Sequence, residues 1–377
     1  MEYTTISQQH ALTPLDISSS PFISTHLTNT IIPQYIKRQL LLYSKNISSL
    51  DNTITNHKDI FLLYELIPTE QPALTVADIV QLSLIKSLLL NLQTHLIIQI
   101  ADEDAYASNK FNLNQITKLS NDKLNNILTF IIPNEQNETV SQRVHVFANR
   151  QFRLVNNEYE STVSQYKMKV PYDKVKTLFN LTEDDNVTKL DYPCYIANAV
   201  NGAFYTQYVP EITNETTCVI VNQVIKAHRY ELCYDAAEKM KFKAPVLLLY
   251  RAVPCLTGAQ GQECYIDNDR TLLSVDDDKT LRKKIMKYSL SGSRGNGSTE
   301  DHKKYGGDVE MDISCQYLKF LEMDDTMLNG NVERFGKGEL LCGEIKQVLY
   351  EKLVKVFGEV KTGHVKDVER FYLIKSE

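Results

Sequence analysis

The chain has 377 residues, 43% of them hydrophobic and 23% charged, with a formal net charge of -6. That length and apolar content suit about two cored domains. The acidic balance excludes a generally basic nucleic-acid coat, so any polyanion must be met by a local patch.

In chain order, the first 56 residues are polar and rich in Ser, Thr and Asn, and hold one helix-like patch around "QYIKRQLLLYS". They read as an N-terminal polar extension, 1–56. "IFLLY" (60–64) then predicts a buried strand, and "VADIVQLSLIKSLLLNL" a helix with Ile79, Leu82, Ile85 and Leu89 on one face. "HLIIQI" (95–100) is the next strand, completing a β-α-β unit. "CVIVNQV" (218–224) and "APVLLLY" (244–250), separated by the helix-like "RYELCYDAAEKMKF", suggest another. The outcome is a parallel α/β sheet, in which ligands sit at the carboxyl ends of strands, here after Tyr64, Ile100 and Tyr250. After about residue 275 the strand signals stop, and "DDDKTLRKKIMKYSL", "MDISCQYLKFLEMDD" and "GELLCGEIKQVLYEKLVKVF" predict helices. The last carries Leu341, Ile345, Val348, Leu349 and Leu353 on one face, so a helical domain is expected over 277–377.

Seven cysteines, odd in number and without a C-x-x-C pair, fit neither a disulfide framework nor a zinc site, so reduced thiols and no metal are expected. "MEYTTISQQHALTP" lacks a basic stretch followed by an apolar one, and no apolar run nears the ~20 residues of a membrane span. The cytoplasm, with no membrane contact, is the expected location.

The residues "KKIMKYSLSGSRGNGSTEDHKKYGGDVEMDISCQYLKFLEMDD" and "GKGELLCGEIKQVL" resemble the eukaryotic cytosolic tryptophanyl-tRNA synthetases, which are class I enzymes. That family carries K-Y-A-F-S-G-G, a spaced His, G-G-x-x-x-x-D, Y-L-x-F-F-x-x-D-D and S-G-x-L-x-G-E-x-K. Upstream, "LIIQIADEDAY" is similar to Q-x-T-D-D-E-K-Y and "PCLTGAQ" to P-A-L-Q-G-A-Q, so the resemblance spans roughly 36–357 and is strong after about 283. It implies a Rossmann-type, catalytic-like domain over 57–276, then an all-helical anticodon-binding-like domain over 277–377. It also implies a homodimer acting on ATP, tryptophan and tRNA; a heterodimer with a related synthetase is the other pairing expected.

The resemblance fails where that family does its chemistry. Its G-A-Q is followed by Lys-Met-Ser-x-Ser, whose lysine meets the leaving pyrophosphate; the matching positions here begin with Gln262 and Glu263, and no lysine occurs from Ala244 to Asp278. Its Met-His-x-Gly-His falls on Leu74 to Asp78, where both histidines and the glycine are absent. Thr75 and Asp78 instead make a T-x-x-D capping box, which closes a helix start on itself and turns an acid toward the phosphate position. In the tryptophan-like pocket, Tyr64 and Gln99 match, Asp104 is a shortened glutamate, Lys226 replaces a glutamine and Ile196 stands in place of another.

Lys279, Arg282, Lys283, Lys284 and Lys287 crowd one predicted helix and are candidate tRNA contacts, with Lys283 and Lys284 expected on an exposed face; a solvated helix face is the plain alternative. "GSRGNG" reads as a linker and His302 as a structural residue. Three functions remain open: a synthetase-like pseudoenzyme that binds tRNA, tryptophan or a partner; an active tryptophan-tRNA ligase using ATP and Mg2+ with a remodelled phosphate site; and a structural partner of an active synthetase. No cofactor is expected on the first and third.

Overall fold

β-Branched and leucine-rich runs without polar alternation are strands covered on both faces. Such runs build the centre of this molecule: Ile60–Leu66 (β3), His95–Ile100 (β4), Thr217–Gln223 (β6) and Val246–Tyr250 (β7) are buried along nearly their whole length. The computed structural model describes residues 12–16, 20–51, 60–69, 71–103, 112–132, 138–179, 181, 187–258, 269–362 and 365–374. Among these, seven strands form one sheet in the order β1-β2-β7-β6-β3-β4-β5. Strands β3 to β7 run parallel; Val144–Ala148 (β5) lies at one edge, and Leu41–Lys45 (β2), with Thr13–Pro14 (β1) beyond it, adds antiparallel at the other. The chain winds outward from β3 to β5, then returns to place β6 on the other side of β3. The crevice at the carboxyl ends of β3 and β6 is therefore a topological switch point, the usual ligand position in such sheets.

The two faces carry separate cores. Ile60, Leu62 and Tyr64 of β3 pack with the helix Val76–Leu92 (α1) and the C-terminal helices, while Phe61 and Leu63 pack against a layer rich in tyrosine and phenylalanine. The described part of the first segment, read from the sequence as a polar extension, packs onto the rest of the molecule. Its apolar residues are scattered among Ser, Thr and Asn, yet Phe22, Ile23, Leu27 and Ile32 are all buried. Tyr35 donates its hydroxyl to the Phe320 carbonyl at 2.7 Å, and Arg38 pairs with Asp325 at 2.7 Å, fastening this segment to the C-terminal helices.

Those helices include Asp278–Tyr288 (α2), Thr299–Tyr305 (α3), Ile313–Leu321 (α4) and Cys342–Thr362 (α5). The apolar face of α5 is centred on Ile345, Leu349 and Leu353, all fully buried. The residues that carry the family resemblance do packing work here. Asp312 caps α4 by accepting from Cys315 N at 2.9 Å and also accepts from Gly292 N at 3.1 Å. Gly306 has φ +71°, and a Cβ there would stand 1.8 Å from the Gly336 carbonyl oxygen, so only glycine fits without a backbone shift. His302 is buried, with Nε2 2.9 Å from the Leu340 carbonyl oxygen. That contact ties the helix Thr299–Tyr305 to the segment just before α5.

Candidate functional site

A cavity of about 520 Å³ opens at the switch point, between the ends of β3 and β6, the start of α1 and the segment 253–257. Its apolar wall includes Leu66, Val76, Val253, Leu256, Leu272 and Tyr317; its charged groups are Glu65, Asp78, Lys123, Lys226, Arg229 and Arg270.

The start of α1 is closed by its own side chains. Thr75 is the N-cap, and its hydroxyl oxygen accepts from Asp78 N at 3.1 Å. The Asp78 carboxylate reaches back to accept from Thr75 N at 2.9 Å, completing the capping box expected from the sequence. Lys123, from the helix Leu113–Ile131, pairs with the same carboxylate at 3.0 Å. Burial favours a raised Asp78 pKa, but Lys123 and then the Thr75 hydrogen bonds outweigh it and hold the carboxyl below its ordinary value. The result is a fixed anion at the place where a helix N-terminus would otherwise attract one.

A second pair stands at the end of β3. Arg229 donates to Glu65 Oε1 at 2.9 Å and to the Tyr192 hydroxyl at 2.5 Å; Tyr192 in turn donates to Glu65. Tyr230 reaches the other carboxylate oxygen at 3.4 Å and is itself held by Asn222 Nδ2 at 2.6 Å. Glu65 and Arg229 are thus largely satisfied within the protein.

Of the residues singled out in the sequence, Tyr64, Thr75, Asp78 and Lys226 line this cavity. Gln99 does not. Its register partner on β3 is Glu65 rather than Tyr64, so it projects to the opposite face from Tyr64, where it is fully buried and donates to Asn149 Oδ1 at 2.8 Å. Ile196 is buried in the core on that face. Asp104, Gln262 and Glu263 lie outside the described residues. Lys279, Arg282, Lys283 and Lys287 are exposed on α2, away from the cavity's lining.

Lys284 must be removed from that surface set. It is 4% exposed, donates to both Asp276 carboxylate oxygens at 2.7 and 2.9 Å, and donates to the Thr271 carbonyl at 2.8 Å. Thr271 and Leu272 border the cavity, and Ser274 N bonds Leu74 O at 2.8 Å just before α1, so Lys284 braces a segment that clasps the site.

Sequence reasoning missed Glu65, Arg229 and Lys123. An acid directly after Tyr64, at a strand end where ligands are expected, was the available signal for the first. Lys123 comes from 45 residues beyond Asp78 and has no local signature. Cys255, on the cavity wall, is disulfide-bonded, against the expectation of reduced thiols; its partner lies outside the described residues.

No family model matches the chain. It is 30% identical over 261 residues to the tryptophan–tRNA ligase of Saccharolobus solfataricus, covering 69% of this chain and 63% of that protein. Against the cytoplasmic tryptophan–tRNA ligase of Saccharomyces cerevisiae it is 26% identical over 269 residues, covering 70% and 59%. The chain thus spans about three fifths of the length of these relatives. A tryptophanyl-tRNA synthetase homologue from Entamoeba histolytica superposes with a TM-score of 0.82 at 21% identity, covering 97% of both chains. The parallel sheet with its switch-point cavity, followed by packed helices, is the architecture of a class I aminoacyl-tRNA synthetase. Within that class the chain belongs to the tryptophanyl-tRNA synthetase family.

Proposed function

We propose that this chain is a synthetase homologue that does not adenylate tryptophan, a pseudoenzyme whose retained fold serves binding to tRNA, tryptophan or a protein partner. The observation that carries this reading is the Asp78 carboxylate, fixed by Thr75 and Lys123 at the first turn of α1. A triphosphate brought to that turn finds the capping position already held by the Asp78 carboxylate and the nearest cation, Lys123, already paired with it, so it gains neither unless that pair opens. The residues present therefore do not fit ATP with Mg2+. The resemblance adds weight, because Gln262 and Glu263 fall where its family has a lysine that meets pyrophosphate.

One observation favours a second reading, an active tryptophan-tRNA ligase with a remodelled phosphate site: Lys226 and Arg270 also line the cavity. Tryptophan-dependent exchange of pyrophosphate into ATP separates the two. Exchange no faster than the protein-free control is expected, and turnover that disappears in Lys226→Ala would overturn the proposal in favour of the second reading.

On the same proposal, the exposed Lys279, Arg282, Lys283 and Lys287 are the phosphate contacts for tRNA. Leu154 and Met168, 77% and 80% exposed, support a protein-partner surface for a homodimer or a heterodimer with a related synthetase. Among the described residues no helix is long and apolar enough to cross a membrane, and the cytoplasm is the compartment we propose.

A further inference from the structure

A second cluster of reactive groups lies outside the cavity's lining, where α3, α5 and the segment after Gly292 meet. Cys342 is the first residue of the 21-residue helix α5. Its Sγ is 3.1 Å from Ser293 Oγ and 3.8 Å from His302 Nδ1. The imidazole's other nitrogen, Nε2, lies 2.9 Å from the Leu340 carbonyl oxygen, which can only accept. That contact places the proton on Nε2 and leaves the Nδ1 lone pair directed at the thiol. His302 is 3% exposed, and the Phe335 ring packs 5.0 Å from it, so the imidazole is held in place.

The other free cysteines among the described residues differ in kind. Cys194, Cys218, Cys233 and Cys315 are at most 1% exposed, and burial raises each of their pKa values, Cys194 to about 12. Cys342 alone of the free, described cysteines is partly exposed. It also sits at the N-terminus of α5.

We propose that Cys342 is a thiol-modification site, with His302 as its base and Ser293 as the donor that steadies the thiolate, and that it takes low-molecular-weight disulfides. His302 Nδ1 removes the thiol proton, and Sγ attacks one sulfur of the disulfide. A new Sγ–S bond forms, the old S–S bond breaks, and the departing thiolate takes the proton back from His302. Cys342 is oxidised to the mixed disulfide and one half of the reagent is reduced to its thiol. The adduct then occupies the joint between Ser293, α3 and α5.

The test uses the full chain at pH 7 with iodoacetamide and, separately, oxidised glutathione, mapping adducts by peptide mass. A cysteine without a base is only a few per cent thiolate at this pH. The activated one is expected to alkylate about tenfold or more faster than glutathione's own thiol, and to be the first residue to form the mixed disulfide. Cys342→Ser should remove both signals, and His302→Gln should slow the reaction severalfold. Because His302 is buried, Ser293→Ala, at a partly exposed position, provides the second variant and should also slow it. Alkylation of Cys342 no faster than free glutathione, or earlier disulfide formation at another cysteine, overturns the proposal.

Discussion

Replacing Lys284 by methionine preserves the length of the side chain and removes its charge. In the folded protein the Lys284 and Asp276 side chains are 5% and 7% exposed, with Nζ 2.7 Å from Oδ1. At an effective dielectric of 20 the gross attraction at that distance is about 6 kcal/mol. Much of it is offset by the cost of taking both charges out of water, so the informative quantity is the destabilisation when one partner is removed. Breaking a buried pair in this way costs about 3–5 kcal/mol, since the remaining carboxylate stays buried. Here it keeps the Leu273 N–H at 2.9 Å as a partner and loses its counter-charge. With an unfolding entropy of roughly 2 cal/mol/K per residue, a cooperative transition of the 377-residue chain should move down by about 5 °C. Lys283→Met, one position away and exposed, is the control and should change stability by less than about 0.5 kcal/mol. Differential scanning calorimetry of the two variants measures the difference. A Lys284→Met midpoint within about 1 °C of the Lys283→Met midpoint would refute the claim that this lysine is a strut rather than a surface cation.

Two further outcomes are expected. Glu103, 2% exposed, has its pKa pushed up to about 8, by burial first and then by Asp102. A raised carboxyl favours folding fully below its unfolded value near 4.5 and loses that contribution as pH rises through about 8. Glu103→Gln should therefore flatten the fall in stability between pH 5 and 8, an effect on the order of a few kcal/mol; denaturant midpoints with the same slope in both proteins would contradict it. For RNA, Lys279→Glu with Lys283→Glu should weaken binding of the tryptophan tRNA and reduce the slope of log K against log salt by about one for each phosphate no longer neutralised. No binding by the unaltered protein at low salt would remove the RNA role and favour a protein partner.

The central strands were legible because β3, β4, β6 and β7 are continuous apolar runs, and the capping box because T-x-x-D is a local pattern. β2 and β5 were not. "LLYSK" and "VHVFA" mix polar with apolar residues, and their membership in the sheet depends on neighbours distant in sequence. Lys284 carried a signal that its charge obscured. Leu281, Lys284 and Ile285 occupy an i, i+3, i+4 stripe, so the lysine belongs to the buried face of α2 and the exposed cations to the other. In the site, Tyr64 was found through resemblance, whereas Gln99 required the strand register to show that it points to the opposite face.

The strongest part of the family resemblance and the cavity answer to different physical demands. Gly292, Gly306 and Asp312 are fixed by backbone approach and capping, and Tyr317 ties α4 to the cavity wall through a 2.7 Å bond to the Pro254 carbonyl. Arg38 and Tyr35 tie the N-terminal segment to the same helices. Any function that needs this fold preserves those contacts, whether or not ATP is used. At the switch point the demand is chemical, and Asp78 with Lys123 and Glu65 with Arg229 satisfy one another instead of a substrate. Each such pair gives local order and also a barrier: a ligand must separate the partners or pass them, and separating a buried pair costs several kcal/mol. High similarity in the helices therefore carries little weight for adenylation, while two internally neutralised groups at the cavity carry much more.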